Sequence, residues 1–249
     1  MNGVRFGELP YLKQGRRVNV CTYSPDGRML AIGAGSDLSI YDTTTWHRAY
    51  QHTGYNVSCA AFSPNNQQIV YATEFGHTLR LWNFANNDTA LDLNGYSGWV
   101  LSVVFSPCGR QCASASKYET VRLWSAETGE CMFVLDQHNH ALNRGFPSAL
   151  LDQRILTPNQ FDFSALPNFI DSVTVVAYCR DGKRLVSGSS EDGTIRVCDP
   201  ETGGPVARWN ICCDYNSFLA FSADGQWVAV ALDSGMIQIT NTVTGESGP

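Results

Sequence analysis

The residues with the most chemical potential in this chain are scattered, and none completes a reactive set. Ser114-Ala115-Ser116-Lys117 fits a Ser-x-x-Lys pattern in which a lysine could activate a hydroxyl. It falls at the end of an apolar, small-residue run that reads as a strand, with no helix to present the lysine to the serine. His138-Asn139-His140 and the pair Cys108 and Cys112 carry metal-ligand types. No second Cys or His pair stands at zinc-site spacing, and Cys108 reads as a turn residue. Cys212 and Cys213 are adjacent, and neighbours in a strand point to opposite faces. Carboxylates such as Asp26, Asp181, Asp192 and Asp224 recur in turns, which explains them without an acid–base role. A Gly-x-Ser-x-Gly elbow and a phosphate-binding glycine loop are both missing from the sequence. The reading is therefore of no catalytic residues, no metal and no cofactor.

The elements that carry these residues repeat. Ser24-Pro25-Asp26-Gly27 recurs as Ser63-Pro64-Asn65-Asn66, Ser106-Pro107-Cys108-Gly109, Cys179-Arg180-Asp181-Gly182 and Ser222-Ala223-Asp224-Gly225. Three of the four intervals are close to a period of about 40 residues, as in a β-propeller built from repeated blades. Proline presets φ for the second turn position, Asp or Asn suits the third, and Gly fits the fourth. Each turn follows one apolar strand and precedes another. The second strands (Met29–Ala34, Gln68–Thr73, Gln111–Ser116, Arg184–Ser189 and Gln226–Leu232) are rich in small residues. That composition predicts strands near a crowded propeller axis. Third strands alternate apolar and polar residues, as in Leu79-Arg80-Leu81-Trp82-Asn83 and Val121-Arg122-Leu123-Trp124-Ser125.

These units resemble WD repeats. In that family the third strand ends in Trp-Asp and a Gly-His pair precedes the first strand. The His, a second-strand Ser, an Asp and the Trp form a structural hydrogen-bond network. Here the Trp remains as Trp82 and Trp124 and is replaced by Tyr41, Cys198 and Thr240. The Gly-His pairs read Gly54-Tyr55 and Gly95-Tyr96, so these tyrosines are expected to fill the histidine's space. The resemblance implies an all-β propeller of four-stranded blades with five recognisable units, incomplete or with a degenerate sixth. Residues 1–18 form an N-terminal segment that could lend a ring-closing strand. Residues 19–138 hold blades one to three, and 172–249 hold blades four and five. Residues 139–171 are an irregular insertion or a degenerate blade, and a rim loop is the preferred reading. The junction Met1–Leu12 also resembles fungal proteins that join a pentapeptide-repeat solenoid to WD repeats.

Composition narrows the function. The 249 residues carry 17 Lys+Arg against 23 Asp+Glu, a net charge of −6, which disfavours a nucleic-acid footprint. No apolar run reaches membrane-helix length, and the first residues do not read as a signal peptide. Nine cysteines without a secretory signal point to free thiols and a cytoplasmic location. The family resemblance implies a non-enzymatic scaffold or adaptor that binds a protein or peptide through one propeller face. The alternative is a sensor propeller of a larger fungal signalling ATPase-type protein. Loops expected on that face hold Trp99, Phe75, Tyr55, Tyr118, Tyr215, His77 and Glu191, aromatic and polar types that suit an interface. Trp99 and Phe75 are least explained by the repeat. Some WD proteins dock ubiquitin-ligase adaptors through an Arg two positions after Trp-Asp. Thr44, Ala85, Glu127, Glu201 and Thr242 stand there, so that partner class is not supported.

Overall fold

The computed structural model describes residues 12, 14–54, 56–73, 78–86, 90–96, 98–117, 120–135, 172–189, 194–210, 216–222, 226–232 and 235–248. Among them the chain is all-β, with nineteen strands in five antiparallel sheets. The first sheet holds β1 (Val18–Tyr23), β2 (Met29–Ala34), β3 (Asp37–Asp42) and β4 (Arg48–Thr53). The second holds β5 (Val57–Phe62), β6 (Gln68–Thr73), β7 (Leu79–Asn83) and β8 (Leu91–Leu93). The third holds β9 (Val100–Phe105), β10 (Gln111–Ser116), β11 (Val121–Ser125) and β12 (Cys131–Leu135). The fourth holds β13 (Val173–Tyr178), β14 (Leu185–Ser189), β15 (Thr194–Cys198) and β16 (Pro205–Asn210). The fifth has three strands, β17 (Asn216–Phe221), β18 (Trp227–Leu232) and β19 (Ile237–Asn241).

Each sheet is a meander in sequence order, because short polar turns join antiparallel neighbours. The repeated turn locks the first hairpin through its side chains. The Ser24 hydroxyl donates to Asp26 at 2.6 Å and accepts from the Met29 amide at 2.9 Å. Ser63 repeats both contacts with Asn65 and Gln68. The fourth turn position lies in the left-handed region, where Gly27 has φ 72°. Asn66 adopts φ 60° at the same position, which asparagine tolerates better than other side chains.

The sheets stack in chain order through their first strands: β1 against β5, β5 against β9, β9 against β13, and β13 against β17. The first strands make the most contact from sheet to sheet, and the second strands lie beside them against the next sheet. The small residues of the second strand have a steric cause. A Cβ at Gly33 would meet Val20 Cγ1 on β1 of its own sheet at 2.5 Å and the Val57 Cβ of the next sheet at 2.9 Å. The second strand is thus packed under the following sheet's first strand. Because β9 lies against β13, the third and fourth sheets are neighbours among the described residues.

The core is divided into layers, one per joint. Ala31, Leu38 and Ile40 meet Val57, Phe62, Ile69, Tyr71 and Trp82 at the first joint. Val70, Ala72, Leu79 and Leu81 meet Val100, Phe105, Cys112 and Trp124 at the second. Trp82 and Trp124 are buried, as the register from sequence requires. Polar ties reinforce three of the four joints at one recurrent place. Gln68 Nε2 donates to the Ala126 carbonyl, Gln111 Nε2 to the Pro200 carbonyl, and Arg184 NH1 to Thr242 Oγ1. Near the N-terminus, Leu12 packs, as does Tyr41, on Leu30, Ile32 and Ala34 of the first sheet. Residues 1–11, which a ring-closing strand would need, lie outside the described residues.

Candidate functional site

The loops at one end of the sheets set up the candidate face. In the third sheet, the residue before β9 and the residue after β10 are tied backbone to backbone. The Lys117 amide donates to the Trp99 carbonyl at 2.8 Å. The first sheet repeats this bond between the Gly35 amide and the Arg17 carbonyl, at 3.1 Å. The tie belongs to the repeat, whereas the side chains hung on it are particular to each sheet. Trp99 is 45 % exposed, and the Lys117 ammonium sits 5.0 Å from the centroid of its ring. A cation over an aromatic face is attracted by the ring quadrupole, so the pair holds the indole in one orientation. On the first sheet the same level carries Arg16, whose guanidinium donates to Ser36 Oγ at 3.0 Å.

Of the residues that the sequence assigns to this face, Trp99 is the one that the described residues include. Phe75, Tyr55, Tyr118, Tyr215, His77 and Glu191 lie outside them.

Beneath Trp99 the chain turns inward. Tyr96 directs its hydroxyl at Ser114, donating to the carbonyl at 3.1 Å and sharing a short contact with the Ser114 hydroxyl. Trp124 Nε1 donates to the same Ser114 Oγ at 2.7 Å. Arg122 stacks on the Tyr96 ring with its guanidinium carbon 5.1 Å from the centroid. Burial pushes the Tyr96 phenol well above its usual pKa, so it stays a neutral hydrogen-bonding group. Tyr96 therefore fills the structural position read for it in the sequence. Trp99 follows it by three positions, and their fates are opposite.

The second sheet solves the same problem with a residue that the sequence reading missed. His52, on β4 of the preceding sheet, places Nδ1 3.1 Å from the Tyr71 hydroxyl, and its ring lies 5.5 Å from that of Trp82. Burial, aided by nearby Arg80, lowers the His52 pKa and favours the neutral imidazole. The family pattern directs attention to Gly54-Tyr55. The available signal was alternation on β4, which points His52 the same way as Tyr50, another neighbour of Trp82.

Chemistry is sparse elsewhere. Among the described residues no group of three or more His, Cys, Asp or Glu converges as a metal site would require. Ser114, of the Ser-x-x-Lys pattern, is committed to Tyr96 and Trp124, while Lys117 stacks on Trp99. Cys108 stands where Asp26 stands in the first sheet, and its Sγ is 3.4 Å from Ser106 Oγ. That hydroxyl and the Arg110 amide lower its thiol pKa by the same contacts that organise the turn. Among the described residues no helix is long and apolar enough to cross a membrane.

The family model described as "WD domain, G-beta repeat" matches residues 45–83, 88–125 and 167–199. The chain belongs to the WD-repeat β-propellers. It is 30% identical over 163 residues to the small ribosomal subunit protein RACK1y of Oryza sativa subsp. japonica, covering 59% of this chain and 48% of that protein. It is 30% identical over 237 residues to apoptotic protease-activating factor 1 of Mus musculus, covering 92% of this chain and 19% of that protein. A chain in the crystal structure of the mitotic checkpoint complex superposes with a TM-score of 0.74 at 17% identity, over 96% of this chain and 65% of its own. The WD-repeat chain spans about half or less of these curated relatives. The matched repeats include β7 and β11 with Trp82 and Trp124, so the family's signature and the buried networks coincide.

Proposed function

We propose that this WD-repeat chain is a non-enzymatic interaction module that binds a protein or peptide through the loop face carrying Trp99. The observation that supports this most is the state of Trp99. It is a large aromatic, half exposed, fixed by a backbone tie and an overlying lysine instead of being packed into the joint below it. An ordered aromatic at a protein surface loses little conformational entropy on binding and gains much buried area, which is why tryptophan anchors interfaces. Phe75, Tyr55, Tyr118, Tyr215, His77 and Glu191 complete the proposed face. The reading needs no metal or cofactor, and the acidic balance of the chain disfavours nucleic acid. A cytoplasmic location is part of this reading, on the nine cysteines read as free thiols. Parallel pull-downs of wild type and Trp99→Ala, read by mass spectrometry, test it. The wild type should retain partners that the variant loses at an unchanged melting temperature. Identical partner sets would move the contact off this face.

A second reading is a sensor propeller of a larger signalling ATPase-type protein. It draws support from the mouse relative, an apoptotic protease-activating factor matched along 92% of this chain but across only 19% of its own length. Under this reading the Trp99 face recognises the signal that the larger protein reports.

A further inference from the structure

Two positions before the tryptophan of the third strand, the second and third sheets both carry an arginine. In the second sheet Arg80 stands opposite Asp92 of β8, with Nε 2.7 Å from Oδ1. In the third sheet Arg122 stands opposite Val134 of β12, so the same register position offers no carboxylate. Arg122 is only 7 % exposed. Among the described residues its Nε has no hydrogen-bond partner, and no carboxylate pairs with it. The guanidinium is held in place from two sides. It stacks on the Tyr96 ring, and Nη1 fills the space that a side chain at Gly95 would take, 2.7 Å from an added Cβ. Stacking on an aromatic offsets part of the cost of burying a cation, but it supplies no counter-charge.

One group beside Arg122 can become an anion. Cys131 opens β12 opposite Trp124, and its thiol is exposed. Arg122 Nη1 donates to Cys131 Sγ at 3.9 Å, a weak contact to a soft acceptor. The thiol donates to the Phe133 carbonyl at 3.6 Å, which leaves the sulfur lone pairs for Nη1. An oxygen added to the sulfur fits this gap, since charge-assisted N–H···O contacts close at about 2.7–2.9 Å. An accessible thiol and a buried cation without a counter-charge thus meet at one place. Cys21, also exposed, receives no such contact and is a reference within the same chain.

We propose that Cys131 is an oxidation site whose product is held by Arg122. The oxidant is hydrogen peroxide. The deprotonated sulfur attacks one peroxide oxygen, an S–O bond forms and the O–O bond breaks. The departing hydroxide takes the proton that the thiol gave up and leaves as water. Sulfur is oxidised by two electrons to the sulfenic acid, and the peroxide is reduced by the same two. A second peroxide repeats the step and gives the sulfinic acid, which loses its proton to become an anion. Nη1 serves both stages. It stabilises the charge that develops on the departing oxygen, and then it donates to a sulfinate oxygen. The sulfinate does for Arg122 what Asp92 does for Arg80. The site lies on the fourth strand and does not rest on the Trp99 reading.

Peptide mass spectrometry of the full chain, reduced and then exposed to limiting hydrogen peroxide, tests this. Cys131 should gain one oxygen and then a second several-fold faster than Cys21, and the melting temperature should rise as its sulfinate accumulates. In Arg122→Gln the two cysteines should oxidise at similar rates. Cys131→Asp tests the pairing without peroxide and without altering the buried residue. It sets a carboxylate beside the guanidinium and should melt higher than Cys131→Asn, which has the same size and no charge. Adding Arg122→Gln to both should abolish that difference. Cys131 oxidising no faster than Cys21 would overturn the proposal. So would equal melting temperatures for Cys131→Asp and Cys131→Asn, because Arg122 would then hold no anion at this place.

Discussion

The third and fourth sheets share one backbone plan, yet they fill the same interior position in different ways. In the third, the last core residue of β11 is Trp124, tied to Ser114, with Tyr96 closing the network from above. In the fourth, the corresponding residue of β15 is Cys198, a buried thiol whose pKa burial pushes up to about 12. The thiol is a small neutral plug among Leu185, Tyr178 and Val121, and Tyr178 turns its hydroxyl outward to Gln111 of the third sheet. The difference teaches that the Trp-centred network is one way of filling a blade and is not what makes the blade. Antiparallel pairing and apolar joints hold the fourth sheet without it. Where the network exists, it should add stability and fix side-chain position.

Breaking the network at its base should have the largest effect. Trp124→Ala leaves a cavity between the second and third sheets and should destabilise the chain by about 3–5 kcal/mol, read as a drop in denaturation midpoint. An unchanged midpoint would mean that the joint is no more dependent on its aromatic than the fourth sheet is. Tyr96→Phe keeps the ring on Trp124 and deletes only the hydroxyl. A loss of about 1 kcal/mol is expected, because Ser114 still accepts from Trp124. A loss as large as that of Trp124→Ala would show that the sheet depends on the whole network.

The second sheet sharpens the comparison through pH. His52 has a lowered pKa in the folded chain, first because of burial and then because of Arg80. The unfolded chain therefore takes up a proton more readily. The contribution of His52 is intact above the ordinary histidine pKa, and falls as pH drops from there through the lower folded value. His52→Gln should flatten the decline in midpoint between neutral and mildly acidic solution. Equal slopes for wild type and variant would remove His52 from the pH response. The smallest effect on stability belongs to Trp99→Ala, whose ring lies outside the joint. The melting temperature should barely move while partner binding is lost, in contrast with Tyr96 three residues earlier. A large drop in melting temperature would place Trp99 with the structural aromatics.

Much of this was legible because turns are local. Ser24 and Asp26 close their hairpin with contacts inside six residues, so the period, the strand order and the burial of Trp82 and Trp124 follow from residue type and spacing. His52 was not legible, because its partners Tyr71 and Trp82 belong to the next sheet and only stacking brings them together. The same holds for the small residues of the second strands. Second strands look central by composition, but Gly33 is small because Val20 of its own sheet and Val57 of the next both press on it. Nor does any local signal separate Tyr96 from Trp99, two aromatics of one loop, one turned into the joint and one left outside.

The sequence by itself determined the repeated antiparallel sheet, the family and the apolar stripe of every third strand. Short-range hydrogen bonding and period-two alternation need no distant partner. Only the tertiary structure decided which stripe is covered. Leu38, Leu79, Val121, Ile195 and Ile237 are near equivalents in the sequence. Four are buried and the fifth is exposed, because burial depends on the neighbouring sheet that each one meets.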